Sequence, residues 1–399
     1  MTTHGISQRE LAAAVGISQP AISQLVNHHQ WPKRDTAKVR ERLGAFLTGK
    51  GISYEIAQEN ASADRHSTDA TSNMTEDNEE KTMLLPKQSL THAARKHFKL
   101  LLDPFAEHLV RSESDLFLPF EVESVKVSMY HTAVYGGMTA VTGESGAGKS
   151  TLRRMLIGQL SRGVHPDRDN GKKIKVIEPS VLEMEDNDIK GKTLKTASLL
   201  EAIMYTIAPN VRLKRTQEAR HRQLHEELIK SSDAGYHHVL IIEEAHSLPL
   251  PTLKHLKRLR ELENGGTRLL SILLIGQTEL ADKLSMRDAR VREVAQRCDI
   301  IHLPPLTQYL TEFLTFKLAL TQQPLEAFFT PDGIKEMQKK LTVRKEQRTT
   351  DGKGRETVVI SNIYPLAVAN FTIASLNVAA ELGAPTVNAD VVEEVFRRV

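Results

Sequence analysis

The chain has 399 residues, 40% apolar and 26% charged, which supports a sizeable core and predicts two to three domains at roughly 150 residues each. Lys and Arg number 53 against 50 Asp and Glu, a formal net charge of +3, so any nucleic-acid surface has to be a local patch and not a general basic coat. A single cysteine, Cys298, excludes a disulfide framework and a cysteine-based zinc site. The N-terminus lacks an apolar signal core and no run of about 18 apolar residues is present, so neither export nor membrane insertion is expected and the chain reads as cytoplasmic.

Residues 1–56 carry seven basic against four acidic side chains. Within them the stretch from Ser7 to Asn27 has helix-turn-helix spacing. Leu11, Ala12 and Val15 form the apolar face of a first helix, Gly16 permits the turn, and Ser18 caps a second helix in which Ile22, Leu25 and Val26 pack back. Gln19, Ser23, Gln24 and Asn27 are left facing outward, short polar side chains suited to a DNA groove. The segment resembles a phage-repressor DNA-binding module; a small protein-docking bundle is the alternative. Lys33, Arg34 and Lys38 serve at most to position phosphates.

Residues 57–82 have almost no large apolar side chains and two basic against seven acidic groups. Such a segment cannot bury enough surface to offset its ordering entropy, and it reads as an acidic flexible linker. From residue 83 onward, apolar strand-like runs alternate with helical patterns, the signature of an α/β fold with a parallel sheet. Strands are expected at Met138–Thr142, from Lys175, at His238–Ile242, Leu269–Ile275 and Asp299–Leu303, and helices at Lys149–Leu160, Ala197–Ala208 and Glu218–Ser231. Beyond Thr307 the pattern predicts a purely helical lid, residues 307–399, following a core at 83–306. The run Arg344–Arg355 reads as a mobile basic loop.

The chemistry concentrates at Gly143-Glu144-Ser145-Gly146-Ala147-Gly148-Lys149-Ser150, which fits the phosphate-binding loop G-x-x-x-x-G-K-[ST] between a strand and a helix. Its glycines let successive N–H groups turn inward toward phosphate, and the helix that begins with Lys149, Ser150 and Thr151 adds the partial charge of its N-terminus. Lys149 is expected on the β- and γ-phosphates of ATP and the Ser150 hydroxyl on Mg²⁺. A second apolar strand ends in Glu243 and Glu244, at the edge where parallel α/β sheets bind ligands. Glu243 takes the metal-supporting position and Glu244 the water-polarising one. His246 has no ligand-spaced partner and is not read as a metal site.

Together GESGAGKST, LIIEEAH and LLIGQTEL, with the lead-in HFKLLLDPF at 97–105, resemble the AAA+ ATPases. Within them they resemble the DNA-transposition regulators of the phage Mu B and TnsC type, with the general secretion pathway protein A type a close relative by motif. The resemblance covers roughly residues 90–399. It implies an AAA+ P-loop NTPase parallel sheet with a helical lid, joined to the small all-α helix-turn-helix domain. It also places a polar sensor at Gln277, and an arginine finger acting on the neighbouring subunit at Arg297 or, as second choice, Arg292. Where the family's lid often carries Pro-Arg, this chain has Tyr364-Pro365-Leu366, so hydrolysis is expected to be slow or another basic residue to substitute. Two clusters, Lys190, Lys192 and Lys195 and then Arg212, Lys214 and Arg215, are candidates for tracking a DNA backbone, with a solvated helix face as the alternative.

The resulting expectation is an ATP-dependent regulator of transposition in a bacterial cell or phage-infected host. It forms a ring or helical filament on double-stranded DNA with ATP, recruits or stimulates a transposase, and is released by hydrolysis. The alternatives are an ATP-switched transcription regulator and a secretion-type AAA+ ATPase.

Overall fold

The computed structural model describes residues 8–17, 39, 42, 43, 46, 85–162, 173–179, 196–285, 291–348 and 355–398. The chain divides into two compact units, Met1–Glu76 and Asp77–Val399. In the first, helix α1 (Gln8–Val15) buries Leu11, Ala12 and Val15 against Val39. Gly16 ends it with a positive φ of 77°, its N–H donating to the Ala12 carbonyl at 2.9 Å. This is the left-handed turn that only glycine makes at little cost. The expected second helix and the linker at 57–82 lie outside the described residues.

The second unit begins with α2 (His92–His97) and α3 (Phe120–Tyr135), then β1 (Met138–Thr142), α4 (Lys149–Ser161), β2 (Lys173–Ile177), α5 (Thr196–Ile207) and α6 (Gln217–Asp233). It continues through β3 (Tyr236–Ile242), α7 (Leu250–Arg260), a short β4–β5 ribbon (Glu263–Asn264, Thr267–Arg268) and β6 (Leu270–Gly276). Next come α8 (Glu279–Lys283), α9 (Arg292–Ala295) and β7 (Asp299–His302). The C-terminal part holds α10 (Leu310–Ala319), α11 (Pro331–Lys340), β8 (Thr342–Arg348), β9 (Arg355–Ser361), α12 (Pro365–Leu382) and α13 (Ala389–Arg397).

Among the described residues, five strands form one parallel sheet in the order β2-β3-β6-β1-β7. Because strand side chains alternate, Leu240, Ile242, Leu270, Ile272 and Leu274 enter one buried layer, with α5, α6 and α7. Val239, Ile241, Leu273 and Ile275 enter the other, with α3 and α4. A sheet buried on both faces reads as continuous apolar runs, which is why HVLII and LLSILLI are visible in the sequence. Two histidines sit in this core with their ring nitrogens bonded: His238 to the Leu269 carbonyl (3.0 Å) and Ser231 Oγ (2.8 Å), His237 to Ser271 Oγ (2.7 Å).

A third cluster joins α10 to α13 with the lead-in: Leu90, Ala94, Phe98 and Leu100 pack among Phe313, Phe328, Phe371 and Val392. This packing crosses residue 306, so the lead-in and the lid share a core. Among the described residues one helix, Pro365–Leu382, is long and apolar enough to cross a membrane; ten of its residues are buried in the protein, which accounts for its apolarity.

The expected purely helical lid needs correction. β8 and β9 pair antiparallel, Thr342 opposite Ser361 through Arg348 opposite Arg355, where the sequence suggested a mobile basic loop at Arg344–Arg355. The β-branched run Thr357-Val358-Val359-Ile360 supplies a strand with high β-propensity, and the charged run before it takes the partner register. Residues 349–354 lie outside the described ones.

Candidate nucleotide site

At the carboxyl end of β1 the chain enters the glycine-rich loop. Gly146 (φ 76°) and Gly148 (φ 101°) adopt left-handed backbone, and α4 starts at Lys149 directly after Gly148. The Lys149 ammonium donates to the carbonyls of Gly143 (2.8 Å) and Glu144 (2.7 Å), folding the side chain over its own loop. Burial lowers its pKa, and the charges of Glu244, Glu144 and Glu279 oppose that shift. The cation is thus held in a partly dry, electronegative site.

A cavity of about 400 Å³ opens over this loop, within the range of small-molecule sites. Ser145–Thr151 form its floor, with Glu244 and Gln277 at the strand ends beside it. Glu244 has a positive φ of 49°, rare for a residue with a Cβ and characteristic of functional turns. His246 Nδ1 lies 3.6 Å from the Glu244 carboxylate and 3.4 Å from the Gln277 N–H. Thr278 Oγ1 donates to Glu144 at 3.1 Å, tying the end of β6 to the loop.

Glu243 is placed differently. Its Oε1 is 3.0 Å from Arg153 Nε, and Arg153, one turn beyond Lys149, also bonds Glu178 at the end of β2. One guanidinium therefore pairs by charge with carboxylates at the ends of two adjacent strands, bonding Glu178 while its buried Nε faces Glu243 without a hydrogen bond. For magnesium the available donors are oxygens, the Ser150 hydroxyl and the strand-end carboxylates, the ligand class that hard cations prefer.

The remaining walls come from segments the loop motif does not predict. Pro365, Leu366 and Ala369 of α12 close one side; Phe105 of the lead-in, Phe117 and Leu118 just before α3, Val122 of α3 and Phe313 of α10 form an apolar end, with Lys317 of α10 beside them. Tyr364 beside them is buried, and desolvation together with the Glu144 charge pushes its phenol up to about 12. Among these the sequence singled out Tyr364-Pro365-Leu366 and the lead-in ending at Phe105; Arg153, Phe117, Phe313 and Lys317 carried no local signal.

Neither arginine-finger candidate lines the cavity of its own chain. Arg297 Nε is 3.7 Å from Glu261 and its guanidinium donates to the Glu293 carbonyl at 3.1 Å, while Arg292 is exposed at the start of α9. Arg212, Lys214 and Arg215 are exposed on the α5–α6 turn. That turn is pinned by Gln223, which accepts from the Lys214 N–H (3.0 Å) and donates to the Arg212 carbonyl (2.9 Å). Lys190, Lys192, Lys195, Gln19, Ser23, Gln24 and Asn27 lie outside the described residues.

The sheet, the loop and the acidic strand end define a P-loop nucleoside-triphosphatase core of the AAA+ fold. Residues 132–284 match the AAA domain model and residues 2–39 the helix-turn-helix model, so the chain carries an AAA-type ATPase domain behind a helix-turn-helix. It is 30% identical over 207 residues to general secretion pathway protein A of Aeromonas hydrophila, covering 50% of this chain and 32% of that protein; the chain thus spans about a third of that curated relative's length. Similar solved structures include the Aeropyrum pernix ORC2 protein in ADPNP–ADP complexes (15% identity, 72% of each chain, TM-score 0.42). Drosophila ORC bound to DNA is another, at 12% identity over 90% of this chain and 73% of that one, TM-score 0.46.

Proposed function

We propose that the protein is an ATP-dependent DNA-binding regulator of transposition, cytoplasmic, which assembles on double-stranded DNA with ATP and is released when ATP is hydrolysed. The observation that carries this reading is the cavity in which the glycine loop, Glu244 and Gln277 face the lid residues Pro365 and Leu366, in a chain that also matches a helix-turn-helix. The loop N–H groups and Lys149 bind the triphosphate, Glu244 holds and orients the attacking water, and Gln277 steadies it. Ser150 and Glu243 are the residues that would hold magnesium, which when bound neutralises phosphate charge. Arg297, with Arg292 as second choice, reaches a neighbouring subunit's cavity, so hydrolysis depends on assembly. Gln19, Ser23, Gln24 and Asn27 read a DNA groove. The two basic clusters, Lys190, Lys192 and Lys195 with Arg212, Lys214 and Arg215, follow its backbone. A transposase recognises the ATP-bound assembly.

A second reading, a secretion-type ATPase, is favoured by the 30% identity to general secretion pathway protein A. Electron microscopy and gel-shift measurements with duplex DNA separate the two. Ordered assembly with ATP but not ADP, weakened by orders of magnitude between about 50 and 200 mM salt, supports the DNA-bound regulator. Absence of any DNA complex in both nucleotide states favours the secretion-type reading.

A further inference from the structure

The apolar end of the cavity contains a cation that nothing in the described structure neutralises by contact. Lys317 lines the cavity from α10, one turn beyond Phe313. Among the described residues its ammonium makes no hydrogen bond or ion pair; its recorded contact is with the Phe316 ring, 5.8 Å from the centroid. Burial lowers its pKa, opposed by the charge of Asp115. That carboxylate is itself engaged, Oδ2 accepting from the N–H groups of Ser112 (2.8 Å) and Arg111 (3.1 Å) and from Ser112 Oγ (2.8 Å).

The surroundings are aromatic. Phe117 lies 5.7 Å from Phe313 and 5.8 Å from Phe316, and Phe105 lies 6.4 Å from Phe313, between ring centroids. Anionic phosphate is provided for elsewhere, by the loop and Lys149. An apolar, aromatic wall offers area to a planar heterocycle but little to discriminate one from another. A partly desolvated ammonium is costly until it meets an acceptor, and it has three donors and no acceptor of its own.

Resting on the nucleotide-site reading above, we propose that Lys317 is a base-reading residue, donating to a ring acceptor on the edge of a purine seated between the lead-in and α10. The wild-type full-length chain, Lys317→Met and Lys317→Arg are titrated calorimetrically with magnesium-ATP and with inorganic tripolyphosphate, which lacks the base. Lys317→Met weakens ATP binding about tenfold and leaves tripolyphosphate affinity unchanged within about twofold; Lys317→Arg, which keeps the donors, recovers most of the ATP affinity. Equal loss for both ligands puts Lys317 on the phosphates and overturns the proposal, as does ATP affinity that does not move. A wild-type chain that binds ATP no more tightly than tripolyphosphate overturns it alone, whereas one that binds neither overturns the nucleotide reading beneath it. Should Lys317→Met not fold, Lys317→Ala carries the same comparison.

Discussion

The backbone N–H of Leu366, at the start of α12, donates to the carbonyl of Gly146 at 3.2 Å, and a Cβ on Gly146 would stand 2.5 Å from Leu366 Cβ. The tip of the nucleotide loop and the lid helix therefore touch through backbone at a position where only glycine fits. Gly146→Ala carries two penalties: left-handed backbone, about 1–2 kcal/mol, and the clash with Leu366. The expected result is a lowered melting temperature and loss of most ATP affinity. Leu366→Gly, which removes the clashing Cβ, restores part of the affinity in the double variant, whereas Leu366→Ala restores none. Equal behaviour of the two double variants would show that the contact does not set the cost.

Arg153 gives the second prediction. Its guanidinium holds Glu243 and Glu178 with side chains only partly exposed, 21%, 21% and 40%. Removing it with Arg153→Met leaves two carboxylates side by side at the strand ends. After discounting for solvent screening, a loss of about 1–3 kcal/mol in denaturant unfolding is expected. Arg153→Lys recovers less than half, because one ammonium cannot span both partners. Freed from the guanidinium, Glu243 is available to a cation, so added magnesium stabilises Arg153→Met more than the wild type. A magnesium response identical in both proteins removes Arg153 as a competitor for that carboxylate.

What the sequence discloses and what it hides divide along contact distance. Gly143–Ser150 is legible because eight adjacent residues make the loop, and β1 before it is buried along its whole length. The apolar end of the cavity is hidden because Phe117 and Phe313, whose rings are 5.7 Å apart, come from elements far apart in the chain, each reading as ordinary core. Arg153 is hidden for the same reason: a basic residue on a helix looks solvated until β2 and β3 deliver carboxylates to it. The β8–β9 hairpin escaped because the charged residues of Thr342–Arg348 mask any apolar alternation, leaving the short β-branched run of β9 as its only cue.

Glu244 and Lys149 separate binding from turnover. Glu244→Gln keeps the shape of a side chain that faces the cavity but cannot accept a proton from water, so hydrolysis should fall by about a hundredfold or more while ATP affinity stays within a few-fold. Ordinary turnover in that variant removes Glu244 from its role. Lys149→Ala acts earlier. It deletes the cation proposed for the phosphates and also the two bonds to the Gly143 and Glu144 carbonyls, so calorimetry should show loss of nucleotide binding, and gel shifts loss of the proposed ATP-dependent assembly on DNA; nucleotide affinity that stays near wild type removes Lys149 from that role.

Cys298 offers a test of the core that is independent of nucleotide. It is buried between α9 and β7, and desolvation, reinforced by the charge of Asp299, pushes its thiol up to about 12. The thiolate is the reactive form, so the native chain should resist a thiol reagent at about pH 8 and react promptly once denatured. The sign of the stability effect follows from the same shift. Well below about pH 8 the thiol is protonated in both states and contributes almost nothing to pH dependence. As pH rises from there toward 12, the unfolded thiol ionises while the folded one stays protonated, so stability falls by up to about 1.4 kcal/mol per pH unit. Cys298→Ala lacks this group and should lose less stability over the same alkaline range. Parallel losses in variant and wild type, or fast labelling of the native chain, would show that the α9–β7 corner opens to solvent.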